Sequence, residues 1–186
     1  MCRIAVADAG GPNVCAFIDM IAVSELGARL LAVTDDGYNV LVGSTWNSPH
    51  TFAFYADHPQ VFVDLPNLGI KSSAAGRYQF LARTWDGLAR EFGLTDFGPV
   101  NQDRGCIELL RQCGAYPQIT TGRVETAMHL ARKTWASLPG AGYGQHENKL
   151  SDLLGVYNAR LAHYRADFAN VQAGSATTAP LINQEH

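Results

Sequence analysis

Hydrophobic positions along the chain change period twice. Between Ala16 and Glu25 an apolar run recurs at i, i+3, i+4 and i+7, which places Ile18, Ile21, Ala22 and Glu25 on one stripe of a helix. Pro12 and Asn13 are its start signals, and residues 26–37 read as loop, with Asp35, Asp36 and Gly37 forming a turn. Tyr38 to Val42 then alternates like a short strand. Phe52–Phe54 and Val61–Leu65 are further strand candidates, punctuated by Pro49, Pro59 and Pro66. From Gly76 the helical period returns through Tyr78, Leu81, Trp85, Leu88 and Phe92, with Gly93 as the stop. Pro99 opens a helix through Ile107, Leu110 and Cys113, ended by Gly114. Thr121 caps another that carries Val124, Met128, Ala131 and Trp135 on its inner face. A last long helix holds Leu150, Leu153, Leu154, Tyr157, Leu161 and Tyr164. The pattern predicts an α+β fold: a helical body, a small antiparallel sheet lobe between residues 38 and 65, and a cleft between them.

A chain of 186 residues is long enough for one domain with its own core, expected over residues 1–168. Residues 169–186 turn small and polar and read as a disordered tail. Asp8, Asp19 and Glu25 interrupt the N-terminal hydrophobic region, so no stretch reaches membrane-spanning length, and the first ten residues do not read as a signal peptide. Retention in a cytoplasm without membrane insertion is the expectation. A net charge of −3 with no basic block argues against a nucleic-acid partner. The four cysteines form no C-x-x-C pair. Cys106 and Cys113 stand two helical turns apart, about 10 Å, too far for a disulfide, so free thiols are expected. Six scattered histidines lack metal-ligand spacing and no G-x-S-x-G is present, which disfavours a zinc amidase or a serine hydrolase. No metal and no cofactor are expected.

Glu25 is the first chemical candidate. A carboxyl held against apolar neighbours loses hydration, which raises its pKa and lets it act as a proton donor near neutral pH. A general acid of that kind is what glycoside cleavage requires. The competing reading has Glu25 turning to solvent at the helix end, which Gly27 suggests is close.

Several further segments run in a shared order: Val23-Ser-Glu25, Gly37-Tyr-Asn-Val-Leu-Val-Gly43, Tyr55-Ala-Asp-His-Pro59, Ser72-Ser-Ala-Ala-Gly-Arg-Tyr-Gln79, Phe97-Gly-Pro-Val-Asn-Gln-Asp103 and Trp135-Ala-Ser-Leu-Pro-Gly-Ala-Gly-Tyr-Gly-Gln145. In this order they resemble the endolysins of the lambdoid bacteriophages over roughly residues 14–162, most specifically in the last block. The resemblance implies a lysozyme-like fold and a lytic transglycosylase with Glu25 as its single acid, acting on peptidoglycan glycan strands. It also implies a monomer held in the host cytoplasm until a separate membrane-permeabilising protein releases it to the cell wall in the periplasm. Tyr38, Asn39, Ser73, Arg77, Tyr78, Gln79, Tyr143 and Gln145 fall in its substrate-side segments. Two positions depart from the family pattern. Asn39 stands where an acid is common, and Leu26 follows the catalytic acid where glycine is usual.

The residues leave their own alternatives. Ser73 reads equally as a helix cap and Tyr78 as core, while Gly76 would let backbone approach a sugar or simply open a helix. Trp85 and Trp135 read as core. Gly140 to Gly144 suits a cleft-lining loop or a helix-to-helix turn. Three functions follow: a lytic transglycosylase, a hydrolytic muramidase using Asp35, Asp36 or a water held by Asn39, and a peptidoglycan-binding protein with a dead site.

Overall fold

The computed structural model describes residues 1–66, 69–142 and 147–176. Its spine is α2 (Pro12–Ala32), preceded by a short α1 (Val6–Ala9). Every residue from Val14 to Ala22 is buried, Asp19 included. A helix apolar on all sides belongs in the middle of a body, and α2 is wrapped accordingly. The other helices are α3 (Ala82–Phe92), α4 (Pro99–Gln112), α5 (Tyr116–Thr120), α6 (Val124–Ala131) and α7 (Leu150–Ala176). Of these, α4, α5 and α7 pack directly on α2.

The first helix does not give way to loop at residue 26. Gly27 adopts φ 75°, ψ 146° and kinks α2, after which helical turns resume as far as Ala32. Nothing lies within 4 Å of a Cβ built on Gly27, so the kink rests on backbone conformation and not on crowding. The last helix runs on past Phe168 to Ala176.

The lobe is less regular than alternation suggests. Its ladder is the antiparallel pair β1 (Val63–Leu65) and β2 (Ile70–Ser72), with Val63 opposite Ser72 and Leu65 opposite Ile70. Residues 38–42 form isolated antiparallel bridges instead, Val40 with Thr51 and Leu41 with Ala75. Gly37 and Gly43, both at positive φ, confine this segment at its ends. Burial of Tyr38 and Val40 holds its middle. Phe52–Phe54 is likewise not a strand. Phe52 packs against Phe97, whose ring meets Phe80 and Trp85 edge-on, and this cluster joins lobe to body.

No helix opens at Gly76. Ala75 pairs with Phe80 across a tight turn in which Gly76 and Gln79 both take positive φ, and α3 begins only at Ala82. A Cβ on Gly76 would sit 2.3 Å from Gln102 Oε1 and 2.9 Å from the Phe97 ring. This glycine therefore admits α4, not a sugar. Trp135 lies past the end of α6 and is buried, its indole N–H donating to the Tyr78 carbonyl at 3.1 Å. Thr121 does not cap α6; its hydroxyl donates back to Pro117 and Gln118.

Candidate active site

Glu25 closes the straight part of α2, two residues before the kink, and is half-buried. The Ser137 hydroxyl donates to Glu25 Oε1 across 2.5 Å. Ser137 belongs to the turn after α6, which α2 meets at this end. Ser24 Oγ lies 2.8 Å from Ser137 Oγ. Asn148 ties both serines together. Its Nδ2 lies 3.0 Å from the Ser24 carbonyl, 3.1 Å from Ser24 Oγ and 3.2 Å from the Ser137 carbonyl, and its backbone N–H reaches the Ser137 carbonyl at 2.9 Å. Burial pushes the Glu25 pKa above the ordinary glutamate value, and the bonds from Ser137 offset part of that rise. The arrangement suits an acid that keeps its proton to a higher pH than a free glutamate does.

The other acids near the lobe are occupied. Asp35 accepts from the Tyr55 hydroxyl at 2.5 Å and pairs with Arg3. Asp36 pairs with Arg77 at 2.8 Å and with the Met1 amino group. Burial works against the charge on Asp36, but these cations outweigh it and hold the carboxyl below its usual range. Asp57 accepts the His58 N–H, and Asp64 faces Lys71 on the surface. Among the described residues, no group of three His, Cys, Asp or Glu side chains forms a possible metal cluster.

Of the six described substrate-side residues expected from sequence, four lie beneath the surface. Arg77 is fully buried, with Nη2 2.8 Å from Asp19 Oδ1. The Tyr38 and Tyr78 hydroxyls both donate to Asp103 Oδ1, at 2.8 and 2.6 Å, and the Arg3 and Ile4 amides donate to Oδ2 at 2.6 and 2.8 Å. Burial raises the Asp103 pKa and these donors oppose the rise. Ser73 is buried and accepts the Ala82 N–H at 3.1 Å, so it caps α3 from outside the helix. Four residues thus carry the lobe's foundations. Asn39 and Gln79 are half-buried. Asn39 Oδ1 accepts the Asp35 N–H, and Gln79 Nε2 donates to the Gly76 carbonyl.

The glycine-rich loop is clasped at its base. The Glu147 carboxylate accepts the Gly140 and Gly142 N–H groups at 2.8 and 2.7 Å, with both glycines at positive φ. Tyr143 and Gln145 lie outside the described residues. A hollow of about 440 Å³ opens beside the kink, lined by Leu26, Gly27, Arg29, Ser44, Thr45 and Trp46. Trp46 is 53% exposed, with the Arg29 guanidinium over its ring.

Sequence reasoning missed Asp19, Asp103, Ser137, Asn148 and Trp46. One signal was available. A lone Asp in the middle of an apolar helix must have a partner, and Asp19 has Arg77.

A family model described as Endolysin matches residues 15–164. The endolysin of Escherichia phage P2 is 43% identical over 152 residues, covering 78% of this chain and 90% of its own. That of Escherichia phage lambda is 41% identical over 143 residues, covering 76% and 87%. Among solved structures, bacteriophage lambda lysozyme complexed with a chitohexasaccharide superposes with a TM-score of 0.73 at 39% identity, over 81% of this chain and 94% of that one. A second structure, lysozyme from bacteriophage lambda, gives 0.64 at 34% identity, over 84% and 94%.

Proposed function

The chain belongs to the endolysin family, and from that premise we propose that it cleaves the bond between N-acetylmuramic acid and N-acetylglucosamine in peptidoglycan by lytic transglycosylation. Glu25 gives its proton to the glycosidic oxygen as the bond to C1 of the muramic acid breaks. The substrate's own acetamido oxygen stabilises the cationic centre. The C6 hydroxyl of the same sugar then attacks C1, and the Glu25 carboxylate takes the proton that this hydroxyl releases. A 1,6-anhydro ring closes, the acid is restored, and no water is consumed.

The observation that carries this reading is that Asp35 and Asp36, the lobe acids a hydrolase would use, are engaged elsewhere and leave Glu25 to act alone. Its carboxyl is met by a hydroxyl, while Asp35 and Asp36 are each committed to a cation and Asn39 carries no charge. Hydrolases pair their acid with a second carboxyl at defined separation. An intramolecular nucleophile removes the need to position water and gains the rate advantage of proximity.

Glycan contacts on the lobe side are assigned to Asn39 and Gln79, and on the loop side to Tyr143 and Gln145. Trp46 adds an exposed aromatic face beside the hollow, on which a sugar ring can lie. The chitohexasaccharide bound to lambda lysozyme supports a β-linked glycan as ligand. In this reading the enzyme acts as a monomer. It reaches the wall from the host cytoplasm when a separate protein permeabilises the membrane, and works in the periplasm. Mass spectrometry of muropeptides released from purified peptidoglycan tests the reaction. Products ending in 1,6-anhydro-N-acetylmuramic acid are expected. Products heavier by one water, with reducing ends, would instead mark a hydrolytic muramidase.

A further inference from the structure

The hydrogen bonds behind Glu25 have a direction, and backbone carbonyls set it. The Asn148 side chain places Nδ2 against two carbonyl oxygens, those of Ser24 at 3.0 Å and Ser137 at 3.2 Å. Carbonyls only accept, so the amide must present its nitrogen here. Flipping it would press Oδ1 against both oxygens. The same Nδ2 lies 3.1 Å from Ser24 Oγ, and an amide nitrogen accepts nothing. Ser24 therefore cannot direct its proton at Asn148. Among the described residues its other hydrogen-bond partner is Ser137 Oγ at 2.8 Å, which accepts it. Ser137, accepting from Ser24, turns its own proton to Glu25 Oε1 at 2.5 Å.

We propose that Asn148 and Ser24 are positioning residues that hold the Ser137 hydroxyl as a donor to Glu25 Oε1, and so reserve Oε2 for the catalytic proton. A proton on Oε1 would meet the Ser137 proton head-on. Among the described residues Oε2 accepts no hydrogen bond, so the acid enters each turnover with one oxygen occupied and the other left to face the leaving group. The proposal rests on Glu25 as the general acid and is independent of which product forms.

Arg29 is turned onto Trp46, Glu147 is engaged by Gly140 and Gly142, and Lys133 and Lys149 flank the segments bearing Ser137 and Asn148. On α4 the buried Cys106 thiol is the titratable group whose ionisation Glu25 opposes.

Two readouts on the full chain test the proposal: carboxyl carbon NMR titration of Glu25, and the pH profile of peptidoglycan cleavage. Ser137→Ala removes the donor, and both the carboxyl midpoint and the alkaline limb should rise by about one to two pH units. Ser137→Thr keeps a hydroxyl and should restore them. Asn148→Asp replaces a donor with an acceptor. Ser24 then turns to the new carboxylate and Ser137 turns to Ser24, so the midpoint should rise nearly as far with Ser137 intact. Ser24→Ala should give a smaller rise in the same direction, and serves if Asn148→Asp does not fold. Wild-type midpoints in both Asn148→Asp and Ser24→Ala, alongside a shifted Ser137→Ala, would overturn the proposal. The titration reads the carboxyl whatever the product, so a reducing-end product would overturn the transglycosylase reading and leave this one standing.

Discussion

Arg77 Nη2 lies 2.8 Å from Asp19 Oδ1, and both side chains are 1% exposed. The pair bolts the lobe's tight turn to the middle of the central helix. Asp19→Ala leaves the buried Arg77 charge with the more exposed Asp36 as its remaining carboxylate partner, so the substitution should cost up to about 3–5 kcal/mol, read as a lowered urea midpoint. An unchanged midpoint would mean that water or another acid replaces Asp19.

Glu25→Gln separates chemistry from stability. Cleavage of peptidoglycan should fall by at least about a hundredfold, the usual span of a lost general acid. Stability should move the other way. The folded pKa of Glu25 lies above its unfolded value, so its contribution is fully present below about pH 4 and is lost as pH rises through the folded pKa. The neutral glutamine escapes that loss. The variant should melt about 2–4 °C higher than wild type at pH 7 and no higher at pH 3.

Glu147→Gln addresses the clasp on the glycine-rich loop. The Gly142 and Gly140 N–H groups hold the Glu147 pKa low, so its carboxylate persists into acid and releases the loop only as pH falls through that depressed value. An amide accepts more weakly than a carboxylate. KM for soluble glycan fragments should rise by about fivefold with the melting temperature unmoved. A lowered melting temperature with normal KM would make the clasp a feature of the scaffold.

Trp46→Ala should raise KM by about fivefold or more, the value of one stacked ring, and leave kcat near wild type. The test is steady-state kinetics together with quenching of tryptophan fluorescence by chito-oligosaccharides. Quenching that survives in the variant would assign it to Trp85 or Trp135.

What was legible in the sequence was what local pattern can encode. The start at Pro12, the stop at Gly93 and the start at Pro99 all follow from neighbours within a turn or two, and α2 begins, α3 ends and α4 begins there. The lobe was not legible in the same way. Its order depends on Arg77 finding Asp19 and on Tyr38 and Tyr78 finding Asp103, contacts separated by 58, 65 and 25 residues. A polar side chain beside glycine looks like a ligand contact whether it faces solvent or a buried acid. That is why the sequence pattern offers Arg77 as a glycan contact and leaves Tyr78 open between glycan and core. The Glu25 relay was hidden for the same reason, since Ser137 and Asn148 lie 112 and 124 residues from their partners on α2.

Asp19 also imposes an order in time. It leaves the ribosome early, in the first long helix, yet its partners arrive in sequence: Arg77 from the lobe, then Arg160 and Tyr164 from the last helix. Tyr164 reaches back to the Cys2 amide as well. A nascent chain that stops short of α7 carries an interior acid with part of its shell missing and a spine with one flank bare. Such a chain belongs to chaperones and proteases. Synthesis of the last helix is therefore the event that makes the enzyme competent, and premature termination should yield no partly active fragment.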